Sequence, residues 1–275
     1  MTGEPEIPEA QDIPRIDTTV PHSARVWNYW LGGKDHYAVD REAGDQFAAV
    51  YPGIFDLARL SRYFLGRVIR HLAGEVGIRQ FLDIGTGLPT ADNTHEVAQR
   101  VDPEARIVYV DNDPLILAHA NALLISDPRG ATAYIEADLL DPDTIIREAR
   151  KTLDFNEPVA LILMQVLGHV SNADGDAQAK SIVNTLMQAL PPGSYLALNE
   201  SAVTNEANAK ATALYNESGG APYYLREPEQ IVGLFDGLEM VEPGVVPIQL
   251  WRPDPNPFGD AADVGVWGGT GRKAD

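Results

Sequence analysis

Two hydrophobic rhythms organise the chain. From Arg79 onward, short solid apolar runs alternate with segments whose apolar residues recur every three or four positions. The solid runs are Arg79 to Ile84, Arg106 to Val110, Ala131 to Ala137, Pro158 to Gln165 and Tyr195 to Asn199. Runs of this kind suit strands of a parallel sheet buried on both faces. Helices are predicted between them: from Pro89 to Arg100, from Asp113-Pro114 onward, from Asp141-Pro142 to Lys151, and from Asp174 to Leu190. Asp followed by Pro is a capping device used twice, Asp as N-cap and Pro in the first turn. The last of these helices is stopped by Pro191-Pro192-Gly193. Regular β/α alternation favours a doubly wound α/β sheet in a single domain.

On either side of this alternation the rhythm changes. Leu57, Leu60, Phe64, Val68 and Leu72 mark an amphipathic helix that packs on the sheet before its first strand. A shorter helix, His22 to Leu31, is predicted to stop at Gly32-Gly33. Val26, Trp27, Trp30 and Leu31 are its apolar face, while Arg25, Asn28 and Gly32 form a polar stripe that faces either solvent or a ligand. Lys34, Asp35, His36 and Tyr37 follow directly. Beyond residue 200 the pattern weakens. Val203 to Tyr215 reads as a surface helix or substrate-side cap, and Pro228 to Phe235 as a short helix. Leu238 to Trp251 reads as strand, placed at an edge or bulged by Pro243 and Pro247. Arg252 to Asp263 reads as loop, and Val264 to Lys273 as a closing strand. The expected organisation is an acidic, proline-rich disordered tail over 1–14 and one domain over 15–275. Within that domain lie an N-terminal helical lid (15–75), a ligand-binding core (76–200), and cap helices with C-terminal strands (201–275).

Composition acts by exclusion. A net charge of −19 argues against nucleic acid, whose phosphates need Lys/Arg stripes, and against anionic membrane surfaces. With no cysteine there is no disulfide framework, thiolate nucleophile or cysteine metal site. Neither an HExxH motif nor a carboxylate/His cluster suggests a metal. No apolar run has membrane-spanning length and the first residues do not read as a signal peptide, so a cytoplasmic location is expected. A small-molecule partner fits this balance.

Candidate chemistry centres on Asp83-Ile84-Gly85-Thr86-Gly87-Leu88-Pro89-Thr90, a strand that breaks at glycine and re-enters a helix. Open α/β sheets bind ligands at such carboxyl-terminal strand ends. Thr90 stands where a dinucleotide fingerprint has its third glycine, which disfavours a nicotinamide dinucleotide. Asp111 ends the second strand, and Asp138 ends the third. Because Asp113 already serves as the helix cap before Pro114, Asp111 is available for a ligand.

Asp83-x-Gly85-x-Gly87, Asp111 and Asp138-Leu139 resemble, in order and spacing, the motifs of class I S-adenosylmethionine-dependent methyltransferases. More narrowly, the chain resembles a family of S-adenosyl methyltransferases of unassigned substrate, long catalogued as a domain of unknown function and found mostly in actinomycetes. Ser23-Ala24-Arg25-Val26, Leu31-Gly32-Gly33-Lys34-Asp35, the glycine turn, Val108 to Pro114 and Trp251-Arg252-Pro253 carry that likeness. Asn28 and His36 stand where the family usually has Asp and Asn. The resemblance implies a Rossmann-like sheet of order 3-2-1-4-5-7-6 with the last strand antiparallel. It also implies S-adenosylmethionine as cofactor: Gly85 and Gly87 at the methionine portion, Asp83 facing its ammonium, Asp111 on the ribose, Asn112 against the adenine, and Asp138 with the Leu139 backbone on the adenine edge. Arg25 with Gly32, Gly33 and Lys34 would close over the crevice, Arg25 meeting a carboxylate of cofactor or substrate. Strand four ends in Met164-Gln165-Val166-Leu167-Gly168-His169 and not in the Asn/Asp-Pro-Pro-aromatic run of base methyltransferases. His169 is the candidate general base, and Tyr37, His95, Gln165 and Glu200 are substrate-side candidates. The expected reaction is O- or N-methylation of a small molecule. The alternatives are a protein that binds the cofactor without turnover and, less favoured, a nicotinamide-dependent oxidoreductase.

Overall fold

The computed structural model describes residues 16–90, 92–116, 127–255 and 262–275 of the chain. Three helices lead: α1 (Ser23–Trp30), α2 (Ala38–Val50) and α3 (Ile54–Arg70), the last continued by a π turn over His71–Val76. The alternating part follows as β1 (Gln80–Ile84), α4 (Thr94–Val101), β2 (Arg106–Asp111), β3 (Ala131–Glu136), α5 (Pro142–Ala149), β4 (Ala160–Met164), α6 (Ala177–Ala189) and β5 (Tyr195–Ser201). The chain then forms α7 (Glu206–Tyr215), α8 (Pro228–Gly233), β6 (Glu239–Met240), β7 (Val246–Pro247) and β8 (Val266–Arg272). The eight strands make one sheet in the order β3-β2-β1-β4-β5-β8-β6, with β7 also paired to β8. The first five are parallel; β8 runs antiparallel to β5, β6 and β7. The expected order holds, with the expected sixth strand broken into the two fragments β6 and β7.

Strand alternation decides what meets what. On β1, Phe81 packs into the apolar layer beneath α3 and α4, whereas Leu82 and Ile84 pack into the layer beneath α5 and α6. Asp83, two residues from Phe81, therefore points to the α3 side. On β5, Ala197 and Asn199 face α3, and Asn199 Nδ2 donates to Ser61 Oγ of that helix (3.0 Å). Arg67 ties α3 to the segment before β8, donating to the carbonyls of Trp251 (3.0 Å) and Ile248 (2.6 Å).

Several boundaries differ from expectation for local reasons. Helix α4 starts at Thr94 and not at Pro89, because Asn93 and Glu96 form a reciprocal capping box there. Strand β5 runs to Ser201, so Glu200 is inside the sheet rather than at its end. Helix α6 starts at Ala177, where Asp174 accepts from the amides of Ala177 (3.1 Å) and Gln178 (3.0 Å). Of the helix expected after Asp113-Pro114, only the first turn is among the described residues; Asp113 Oδ1 accepts from Leu115 N (2.9 Å) as a cap should. The expected tail and part of the Arg252 to Asp263 loop lie outside them.

Candidate functional site

At the carboxyl ends of β1, β2 and β4 lies a cavity of about 310 Å³, roofed by α1. Asp83, Gly85, Gly87, Asp111, Asn112, Asp138 and Leu139 all line it, so three separate strand ends are brought to one crevice. Gly85 holds φ +72°, and a Cβ there would overlap the Val166 side chain; the turn needs glycine for conformation and for space. The Gly87 amide donates to Asp111 Oδ2 (2.9 Å), while Asp111 Oδ1 accepts from the amides of Asn112 (2.9 Å) and Asp113 (3.1 Å). Three of roughly four acceptor positions on that carboxylate are thereby filled, leaving one on a residue that lines the cavity. Burial pushes Asp111 above the usual carboxylate range despite these donors. Asp138 is exposed at the rim and accepts from the Leu140 amide (2.9 Å).

Asp83 is buried, accepts from Thr94 Oγ1 (2.5 Å), and is pushed up to about 6 by burial, with Thr94 and Arg62 opposing. Arg62 of α3 lines the same cavity and donates to the Asp92 carbonyl (3.1 Å). A carboxylate and a guanidinium thus share one wall. Sequence reasoning missed Arg62, although Ser61, buried on the apolar face of that helix, was a readable sign that the face meets something polar.

The N-terminal segment is placed differently from the reading that has Arg25 meeting a ligand. Helix α1 does wall the cavity, through His22, Ser23, Ala24, Trp27, Asn28 and Leu31, but Arg25, Gly32, Gly33, Lys34 and Tyr37 are not among the lining residues. Arg25 is buried with its guanidinium committed to protein. It donates to the carbonyls of Asp17 (2.9 Å) and Val20 (3.2 Å), with Nε 3.6 Å from both Asp40 and Asp113, and stands over the Tyr37 ring. The two glycines let the chain fold back on Asn28: the Gly33 amide donates to the Asn28 carbonyl (2.8 Å), and Asn28 Oδ1 accepts from Asp35 N (3.0 Å). Lys34 is exposed. His95 is also off the cavity, bonded through its amide to Tyr109 Oη (2.7 Å).

Beyond Trp27, Ser23, Gln165 and His169, which line both spaces, a second compartment of about 40 Å³ opens. Trp30, Phe47, Tyr215 and Tyr223 supply its aromatic walls; Ser201, Asn208 and Thr212 also line it. The Tyr223 segment is held down by Tyr224 N donating to the Gly168 carbonyl (2.7 Å), Asn172 Nδ2 to the Leu225 carbonyl (2.8 Å), and the fully buried Arg226–Asp176 pair (2.9 Å). The Tyr223 ring fits because residue 168 is glycine: a Cβ there would overlap the ring. His169 Nδ1 is 2.9 Å from the Pro222 carbonyl, and its ring meets Tyr223 edge-on. A carbonyl only accepts, so Nδ1 carries the proton and Nε2 keeps its lone pair. Burial lowers the pKa of His169. Glu200 does not line either space. It is fully buried, accepts from Leu167 N (2.8 Å), lies 2.8 Å from Tyr223 Oη, and is pushed up to about 7 by burial.

Known proteins share this arrangement at the level of family and fold. A family model described as S-adenosyl methyltransferase matches residues 9–274. A DUF574 family protein from Streptomyces avermitilis is 43% identical, superimposes with a TM-score of 0.88, and is covered completely by 94% of this chain. A solved structure from Thermobifida fusca is 41% identical with a TM-score of 0.86, over 94% of this chain and 97% of its own. An O-methyltransferase family protein from Burkholderia thailandensis, 14% identical with a TM-score of 0.53 over 90% of this chain and 64% of its own, shares the fold. Among curated proteins, none matches.

Proposed function

The chain belongs to the S-adenosyl methyltransferase family, and on that premise we propose that it methylates an oxygen or nitrogen of a small molecule bound in the second compartment. The residues present suit the cofactor. Asp83 and Arg62 offer one anion and one cation to a zwitterionic amino-acid end, Asp111 keeps one acceptor position for a ribose hydroxyl, and Asp138 with the Leu139 backbone lies at the far rim for an adenine edge. A dinucleotide suits the crevice poorly. Two buried carboxylates flank the glycine turn, and the N-terminus of α4 is already capped by Asn93 and Glu96. When bound, S-adenosylmethionine supplies a methyl group to an acceptor lone pair, the bonding pair staying on sulfur, so that S-adenosylhomocysteine and one proton are left.

The observation that carries this reading is the junction: His169 and Gln165 line both the larger cavity and the compartment. His169 is placed to take the proton at Nε2, because the Pro222 carbonyl fixes the tautomer and burial keeps the ring neutral near pH 7. Trp27 and α1 exclude water from the junction, and alignment of donor and acceptor supplies much of the remaining acceleration. The test has two stages. Calorimetry should show S-adenosylmethionine and S-adenosylhomocysteine binding while NAD does not. Labelled methyl transfer into a metabolite extract should then fall about 10²-fold or more in His169→Ala, in the usual range for loss of a general base. Tight cofactor binding with no acceptor labelled by the wild-type protein would instead support a binding protein without turnover.

A further inference from the structure

We propose that the second compartment selects an uncharged, planar, single-ring acceptor, an aryl hydroxyl flanked by a carbonyl or ring nitrogen, which it recognises through the amide groups of Gln165 and Asn208. This rests on the donor occupying the larger cavity as proposed above. Two amide donors at the compartment lack hydrogen-bond partners. Gln165 Nε2 and Asn208 Nδ2 are buried atoms of residues only 6% and 2% exposed, and neither is paired. Both residues line the compartment. Buried donors left unpaired cost about 1–3 kcal/mol each, so a ligand that brings lone pairs to them gains what the empty protein forgoes.

Charge narrows the class. Among the described residues, no Asp, Glu, Lys or Arg lines the compartment. Behind the wall, the geometry around the Glu200 carboxyl favours its protonated form. Tyr223 Oη lies 2.6 Å from Gln165 Oε1 and 2.8 Å from Glu200 Oε2, two acceptors for one hydroxyl hydrogen. Ser201 Oγ, 2.8 Å from the same Gln165 oxygen, gives its own hydrogen there. The chain of oxygens is satisfied when Glu200 carries a proton and donates to Tyr223, which then donates to Gln165; the upward push of burial on Glu200 agrees. An ionised carboxylate or phosphate would enter with no cation to meet it, and an ammonium with no anion, so both lose their hydration without full compensation.

Shape narrows it further. Trp27, Trp30, Phe47, Tyr215 and Tyr223 suit a flat partner by edge and face contacts. About 40 Å³ is well short of the roughly 150 Å³ that encloses benzene, so only the substituted edge of one ring enters. That edge carries the carbonyl or ring nitrogen to the two amides. The hydroxyl beside it then lies back at the junction, against His169 and the donor methyl.

Salicylamide and salicylate differ at the flanking group chiefly in charge and make a direct probe pair. Titrated calorimetrically into the full-length protein saturated with S-adenosylhomocysteine, salicylamide should bind at least tenfold more tightly than salicylate. Asn208→Asp replaces a donor by an acceptor of the same size in the first turn of α7, and retained S-adenosylhomocysteine binding reports that the variant folds. It should weaken salicylamide tenfold or more, with S-adenosylhomocysteine affinity as internal control. Salicylate binding as well as salicylamide, neither probe binding, or a salicylamide affinity unchanged by Asn208→Asp would each overturn the assignment while leaving the donor site intact. Failure of S-adenosylhomocysteine itself to bind would overturn the donor-site reading and this one together.

Discussion

Asp83 combines burial, a neighbouring carboxyl in Asp111 and one nearby cation in Arg62, and these compete over a single proton. With its pKa held at about 6, Asp83 is protonated at pH 5 and ionised above pH 7. Only the ionised form attracts an ammonium, so affinity for S-adenosylmethionine should rise as pH rises through 6 and level off above it. The expected loss from pH 7.5 to pH 5 is about tenfold, as one pH unit below the pKa implies. Asp83→Asn should cost about 1.5–3 kcal/mol at pH 7.5 and flatten the profile, both readable by calorimetry. Glu200 poses the same problem without a ligand. Its folded value of about 7 lies above the ordinary 4.5, so between those values the folded state holds more protons than the unfolded one. The contribution of Glu200 to stability should therefore fall as pH rises from 4.5 to 7, by on the order of 3 kcal/mol, and be flat outside that window. Glu200→Gln keeps the neutral hydrogen-bond pattern toward Tyr223, and denaturant melts of the variant should lose that decline.

Among the elements, α1 is both wall and anchor, and the two roles fall on different residues. Trp27 and Asn28 face the cavity, while Arg25 turns away into the Asp40–Asp113 pair. Arg25→Ala would leave two buried carboxylates without their cation, so a loss of about 3 kcal/mol is expected. Cofactor affinity of the folded fraction should change little, and a midpoint without cofactor that stays at the wild-type value would show that Arg25 does not anchor the helix. Helix spacing made the polar stripe of α1 visible in the sequence but left open which polar residue faces the ligand, because that depends on what packs behind. Helix α2 was not legible at all. Its buried residues are Asp40, Ala43, Gly44 and Phe47, too few and too small to write an apolar period. Glu96, three residues after Asn93, was a readable start signal for α4, masked by the more conspicuous Pro89.

At the scale of the molecule, the strands and their order were legible because the parallel run is solidly apolar and its turn residues are explicit. The Asp83, Asp111 and Asp138 crevice was legible with them, since topology alone brings strand ends together. The second compartment was not. Asn208 and Tyr223 come from a stretch with weak periodicity, and they reach Gln165 only through long-range contacts such as Tyr224 with Gly168 and Arg226 with Asp176. Strand β8, residues Val266–Arg272, is inserted between β5 and β6 and covers the edge that carries Glu200 and Ser201. On a ribosome, β1 to β5 are complete well before that cover emerges. A nascent chain that folded at that stage would have β5 as a bare edge strand, open to pairing with a neighbouring chain. Cofactor captured at that stage would favour the productive route, making the ligand a folding partner before it is a reactant.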